Sequence, residues 1–310
     1  MTTFENPKLI LFSQHGMTDT NQTMGMLAHI LTSPQFHVVA PNLGFVNTLF
    51  QIEPLIQAVE ESAYQAFQQY PNLPARVIAT SLGGVIWVEV LSRNPEWWGR
   101  IESLVLLGVP IGGADLARIV DPFSWGIGIA QHLGQNRRSL AEKITAVIPT
   151  LVVAGNCTGG GDGTVPLEST RLKYAHFVCL DGVTHPQLRD HPGVTKQIQE
   201  FWAQPRKPLP VPEPSLISDL IEHFRGVPGI TDASERDFSR AEMVCTYHDG
   251  TSLRAWTNLV GVKHIFLANA VGKCGYSGFV GWIHSAGLEQ AIDTAIKLFP
   301  QAVETHRTTS

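Results

Sequence analysis

Three residue types in this chain are spaced as a nucleophilic relay would need them. Ser81 lies in Arg76-Val77-Ile78-Ala79-Thr80-Ser81-Leu82-Gly83-Gly84. An apolar, β-branched run breaks there at a serine and passes at once into an apolar helical pattern. A serine at the apex of a strand, a sharp turn and a helix sits on a tight backbone, which demands small residues two before and two after it. Ala79 and Gly83 fill those places. A serine hydroxyl is a weak nucleophile until a base takes its proton, and a third group must orient that base. Downstream, Asp162 offers a carboxylate within the glycine-rich loop Gly155–Pro166, and His185 follows in Asp181–Leu188. Each loop comes directly after a short apolar run.

The elements that would carry these loops follow from hydrophobic spacing. Strands are expected at Leu9–Phe12, His37–Ala40, Arg76–Thr80, Ser103–Leu107, Thr150–Ala154 and His176–Leu180. Apolar runs of four to six residues without polar alternation belong to parallel sheets buried on both faces. Between them, Met24, Leu27, Ala28 and Leu31 recur at helical spacing, as do Ile52, Leu55, Ile56, Val59, Ala63, Ala66 and Phe67. A helix after Ser81 is expected to run to about Arg93, and another from about Pro192 to Trp202. Alternating strands and helices imply right-handed crossovers and a doubly wound α/β domain.

Residues 1–203 are read as that domain. Residues 108–149 are too long for a simple crossover and carry the apolar, glycine-rich stretch Phe123–Ile129. They are expected to form a cap that lines an apolar pocket at the strand ends. Residues 204–214 hold five prolines in eleven positions, the composition of a semi-rigid spacer. Residues 215–310 read as a small α+β domain. A helix capped by Ser215 is followed by a hairpin through Asp249-Gly250, which predicts a type I′ turn, then a strand at Val262–Ala268 and a last helix around Leu288–Phe299.

The 310 residues carry a net charge of −5, with 44% hydrophobic and 16% charged content. A soluble globular chain is expected, and no basic face recommends a nucleic-acid partner. No run approaches the ~18 apolar residues of a membrane span, and no secretory signal is visible, so a cytoplasmic location is expected. Cys157, Cys179, Cys245 and Cys274 form no ligand pattern, and neither do His37, His132 and His176. No metal or organic cofactor is expected.

Five short motifs, in order, give the chain a resemblance. His15-Gly16 after the first strand resembles an oxyanion loop. Ala79-x-Ser81-x-Gly83-Gly84 resembles the elbow of small bacterial lipases, some of which also carry alanine first. Gly108-Val109-Pro110-Ile111-Gly112 is similar to their Gly-Thr-Pro-His-x-Gly turn, with valine and isoleucine in place of threonine and histidine. Asp162-Gly163-Thr164-Val165-Pro166 resembles the acid-bearing loop, and His185-x-x-Leu188 with the helix after Pro192 resembles the histidine loop. Over residues ~8–203 the chain therefore resembles the lipase/esterase branch of the α/β-hydrolase superfamily. The resemblance implies Ser81 as nucleophile, His185 as general base and then acid, and Asp162 as its orienter. It implies the backbone N–H groups of Met17 and Leu82 as the oxyanion hole.

Other residues are weaker candidates. Asp115 is the alternative acid found in variants of the fold. His191 sits where the last helix begins. Asp181 and Asp190 read as loop and helix-cap residues, and His15 as a structural neighbour of the oxyanion loop. Thr18 and Asp19 could face the substrate, with a solvated turn as the simpler account. The expectation is a serine-dependent carboxylic ester hydrolase for a small ester or thioester with an apolar acyl group. A thioesterase or an acyltransferase would use the same three residues. A reading of another class is an inactive hydrolase-fold scaffold, whose C-terminal domain recognises a protein partner. In that domain Trp256, Tyr276 and Trp282 are the aromatic residues that could face such a partner.

Overall fold

This computed structural model of the chain describes residues 7–44, 51–113, 136–157, 160–204, 207–210 and 213–299. The expectations placed on Asp115, His132 and Phe123–Ile129 lie outside the described residues.

Six strands form one parallel sheet: β1 (Leu9–Gln14), β2 (Phe36–Val39), β3 (Ala75–Thr80), β4 (Ile101–Leu107), β5 (Thr150–Asn156) and β6 (His176–Asp181). Their order is β2-β1-β3-β4-β5-β6, and every neighbouring pair is parallel. The apolar strands are buried on both faces because alternate residues feed two separate cores. Ile10, Phe12, Val77, Ala79, Leu104, Leu106 and Val152 face one cluster, and Leu11, Ile78, Val105, Leu107, Leu151 and Val153 the other. The period of two along each strand makes this split.

Helices α2 (Ile52–Gln69), α3 (Leu82–Arg93) and α4 (Arg138–Thr145) cover the first face. Helices α1 (Asn21–Leu31) and, after the short α5 (Leu167–Thr170), α6 (Pro192–Ala203) cover the second. The chain reverses its direction of travel across the sheet between β1 and β3, and crevices at such a switch point are where α/β sheets form sites. The loops after β1 and β3 both open there.

A second sheet holds five antiparallel strands in the order β7-β11-β10-β9-β8. They are β7 (Ile230–Asp232), β8 (Glu242–Thr246), β9 (Ser252–Thr257), β10 (Lys263–Ala268) and β11 (Cys274–Val280). Helices α7 (Leu216–Arg225) and α8 (Ser285–Leu298) share one buried cluster with it, through Leu220, Phe224, Leu288, Ala291 and Ala295. This is a small α+β domain beside the α/β one. Ser215 caps α7 by accepting the Ser218 N–H at 3.3 Å. Two of its strands, β7 and β11, are additions to the expected hairpin and third strand. Tyr276 is fully buried, whereas Trp282 is exposed.

The hairpin turn corrects its expected type. A type I′ turn needs positive φ at both central residues, but of Asp249 and Gly250 only Gly250 has it, at 85°. The Gly250 N–H donates to Tyr247 O at 3.0 Å, and Tyr247 N donates to Thr251 O at 2.7 Å. That is a three-residue loop closed by a glycine bulge. The Asp249 carboxylate holds it by accepting from Thr251 N at 2.9 Å and Thr251 Oγ1 at 3.0 Å.

The proline-rich segment is tied to the parallel sheet rather than free of it. Leu209 N donates to Tyr174 O at 2.9 Å, just before β6.

Candidate active site

β3 ends at Thr80, and Ser81 takes φ 51° and ψ −126° before α3 begins at Leu82. A non-glycine residue there stores about 1–3 kcal/mol of strain, which only its surroundings can hold. Ser81 N donates to Leu107 O at 3.0 Å, and Gly84 N donates back to Ser81 O at 3.0 Å. The turn is so close to the first loop that a Cβ at Gly83 would fall 2.5 Å from His15 O. Glycine is therefore required at Gly83, whereas the small side chain of Ala79 fits inside the core.

The loop after β1 passes directly over this turn. A Cβ at Gly16 would lie 2.9 Å from Ser81 Cβ and 3.5 Å from Leu82 N. Met17, next along, is half-buried and packs on the larger core. Among the described residues, neither the Met17 nor the Leu82 N–H donates to a backbone carbonyl in the turns and loops. His15 holds the loop from beneath. Leu43 N donates to His15 Nε2 at 3.0 Å, so the ring proton sits on Nδ1, 2.9 Å from Gly16 O. Burial pushes the His15 pKa below its ordinary value, against the pull of Gly16 O and Asp19, so the ring is held neutral.

Asp162 and His185 meet after β5 and β6. Asp162 is 3% exposed, and its Oδ1 accepts the N–H groups of Thr164 at 2.9 Å and Val165 at 2.7 Å. Oδ2 is left for His185 Nδ1 at 2.7 Å, and His185 N donates to Asp162 O at 2.9 Å. A carboxylate oxygen accepts, so Nδ1 donates to it and Nε2 is the ring nitrogen left for another partner. The pair fixes the His185 ring and leaves Nε2 unengaged by Asp162. The Ser81 hydroxyl has no hydrogen-bond partner among the described residues. Such contacts often tighten only when a substrate is in place.

Two supports had no obvious sign in the sequence. Gly108, at φ +55°, lies under the pair: a Cβ there would be 2.6 Å from Leu188 Cδ1, 3.0 Å from Asp162 Oδ2 and 3.1 Å from His185 Nδ1. A glycine closing a strand was the available hint. Asp19 is not a solvated turn residue. Its Oδ1 accepts from Thr20 N at 2.8 Å, and its Oδ2 takes Arg189 Nη1 at 2.5 Å. That ion pair links the loop after β1 to the segment after His185. The rivals are otherwise engaged. His191 Nδ1 accepts from Gly193 N at 3.1 Å as the cap of α6, and Asp181 accepts from Asn156 Nδ2 at 3.1 Å. Asp190 closes the 3-10 turn Pro186–Arg189.

A parallel sheet in this order, with a serine on a strained strand-to-helix turn and an acid and a histidine after later strands, is the α/β-hydrolase fold. No protein-family model and no curated protein matches the chain. Solved structures similar to it include the mature lipase BlEst2 of Bacillus licheniformis, at 17% identity and TM-score 0.47, covering 66% of this chain and 94% of that one. Est1E from Butyrivibrio proteoclasticus with bound ferulic acid is similar at 16% identity and TM-score 0.48, covering 65% and 90%. The propeptide form of BlEst2 covers 88% of this chain and 71% of its own, at 12% identity and TM-score 0.49.

Proposed function

We propose that the chain is a serine-dependent carboxylic ester hydrolase of lipase or esterase type. Ser81 attacks the acyl carbonyl while His185 Nε2 takes the hydroxyl proton. The tetrahedral oxyanion is held by the N–H groups of Leu82 and Met17. His185 then protonates the leaving alcohol, and the acyl group stays on Ser81. Water, deprotonated by His185, releases the acid and restores the serine. Asp162 keeps the imidazole in one tautomer and stabilises the imidazolium formed at each step.

The observation that carries this reading is the 2.7 Å bond between Asp162 Oδ2 and His185 Nδ1, at the strand ends where Ser81 stands. A carboxylate whose other oxygen is saturated by backbone donors has one remaining use, to orient that ring. The chain is proposed to divide into a catalytic domain at 1–203, a linker at 204–214 and a second domain at 215–310. An apolar acyl group is proposed from the composition of residues 108–149.

The test is a chain-length series of p-nitrophenyl esters with wild type and Ser81→Ala. Turnover that vanishes in Ser81→Ala supports the reading, and the preferred length reports on the acyl pocket. Wild-type protein that is folded and turns over no ester or thioester, with or without an added alcohol or thiol acceptor, would leave an inactive scaffold instead.

A further inference from the structure

We propose that Asp232, in β7 of the second sheet, is a positioning residue for the Asp162–His185 pair. The inference rests on the hydrolase reading above.

Asp232 is wholly buried, and two cations face it: Arg138 Nη2 at 2.5 Å and Arg225 Nη2 at 3.7 Å. From this one carboxylate, two routes run to the catalytic pair. The first goes through Gly112. Asp232 N donates to Gly112 O at 3.3 Å, and a Cβ at Gly112 would fall 2.0 Å from Asp232 Oδ2. Gly112 ends the turn that begins at Gly108, whose missing side chain makes room for Asp162 and His185. Pressure on Asp232 is felt four residues away, under the catalytic hydrogen bond.

The second route goes through Arg138. Its Nη2, besides Asp232, donates to Glu168 O at 2.9 Å, and its Nη1 donates to Arg171 O. Those carbonyls belong to α5 and its end, the segment that leaves the acid loop. The loop is closed upon that segment: Gly161 bridges Pro166, Leu167 N donates to Gly160 O at 2.9 Å, and Ser169 N donates to Pro166 O at 3.1 Å. Ser169 then joins the routes. Its carbonyl accepts from Gly112 N at 2.9 Å, and its hydroxyl donates to Gly113 O.

Gly112, Ser169, Arg138 and Asp232 thus form one closed node with the catalytic acid on one branch and Gly108 on the other. Only Asp232 comes from the C-terminal domain. Its removal leaves a guanidinium that holds two loop carbonyls without its counter-charge. That domain is therefore part of the machinery that fixes the acid loop, over and above any recognition it performs.

The experiment compares Asp232→Asn, which removes the charge, with Gly112→Ala, which keeps it and removes only the space. Lys173→Ala is the control, because it breaks another bridge between the domains, Lys173 Nζ to Glu222 Oε2 at 2.8 Å, while Glu222 keeps Arg225 at 3.6 Å and the contacts of Gly112, Ser169 and Arg138 stay in place. Sites are counted with a fluorophosphonate, so that kcat is per competent serine. The expected result is a kcat lower by about ten- to a hundredfold with KM within twofold, the scale of a small misplacement of catalytic groups. Lys173→Ala should stay within twofold of wild type. The low-field proton signal of the His185–Asp162 bond, assigned by its absence in Asp162→Asn, should weaken or move in both node variants and not in the control. If either node variant folds and keeps both kcat and the signal, the proposal is wrong. If Asp232→Asn does not fold, Gly112→Ala decides. Because the proton signal needs no substrate, its change in a chain that hydrolyses no ester would uphold the positioning and remove the hydrolase reading.

Discussion

Asp162 and Asp232 are both buried carboxylates answered by cationic or proton-donating side chains, yet they do opposite work. Asp162 spends one oxygen on two backbone N–H groups and the other on His185, whose side chain is 16% exposed. Asp232 faces Arg138 and Arg225, with side chains only 5% and 12% exposed. A guanidinium keeps its proton at every ordinary pH, so the Asp232 cluster is electrostatically fixed and closed. The Asp162 pair instead joins its carboxylate to an imidazole, a side chain able to donate from one nitrogen and accept at the other, and that ring is partly exposed. Burying a carboxylate is costly in either place. What separates the two is the partner, one partly exposed imidazole at Asp162 and two nearly buried guanidiniums at Asp232.

That contrast can be broken from either side. The largest effects belong to Ser81 and Asp162. Ser81→Ala should abolish ester turnover by roughly 10⁴-fold or more, and Asp162→Asn should cost on the order of 10⁴-fold by permitting the wrong tautomer. Asp162→Asn should lower stability by only about 1–2 kcal/mol, since a carboxamide oxygen can still accept from Thr164 N and Val165 N. Activity assays and denaturant melts on the same preparation check both halves. Asp232→Asn inverts the pattern, with a smaller loss of rate and a stability loss of about 3–5 kcal/mol from the stranded guanidinium. If denaturant melts show Asp162→Asn the more destabilised of the two, the distinction between the carboxylates collapses.

Gly108→Ala sharpens the comparison without touching any charge. Its Cβ would press on Leu188, Asp162 and His185 at positive φ, so turnover should fall about ten- to a hundredfold. The local strain should cost about 1–3 kcal/mol, read from a shift in the unfolding midpoint.

The smallest effect concerns acid stability. His15 is held neutral when folded, with its pKa below the 6.5 of a free histidine. The folded state therefore binds fewer protons than the unfolded one in the window below 6.5. This contribution is fully present above that value and is lost as pH falls toward the folded pKa. The unfolding temperature of wild type should drop on acidification more steeply than that of His15→Gln. Parallel curves would refute a neutral His15 anchoring the loop through Leu43 N.

Much of this was legible in the sequence, and the limits have physical causes. Ser81, Asp162 and His185 each follow a continuous apolar strand, and small residues flank the serine because the turn forbids large ones. Such signals are local and survive without coordinates. β11 was missed because Cys274-Gly-Tyr-Ser-Gly-Phe-Val280 carries two glycines and little periodicity, and β7 because it spans three residues. The Asp249-Gly250 dipeptide marked the hairpin but not its geometry, since Asp249 stays out of the left-handed region and bonds to Thr251 instead. Asp232 and Arg138 are 94 residues apart, and no short-range pattern couples them. A solvated turn is the simpler reading of Asp19 in sequence because its partner, Arg189, is 170 residues away. Long-range charge pairing is written in the fold, whereas the loops of Ser81, Asp162 and His185 are written in the chain.

If Ser81 is a nucleophile activated by His185 and Asp162, the full chain should react with a fluorophosphonate at that serine, and peptide mass spectrometry locates the adduct. One adduct per chain is expected on Ser81, slowed severely by His185→Ala and absent in Ser81→Ala. Folded wild type that forms no adduct, or forms it on another residue, would contradict a nucleophilic Ser81.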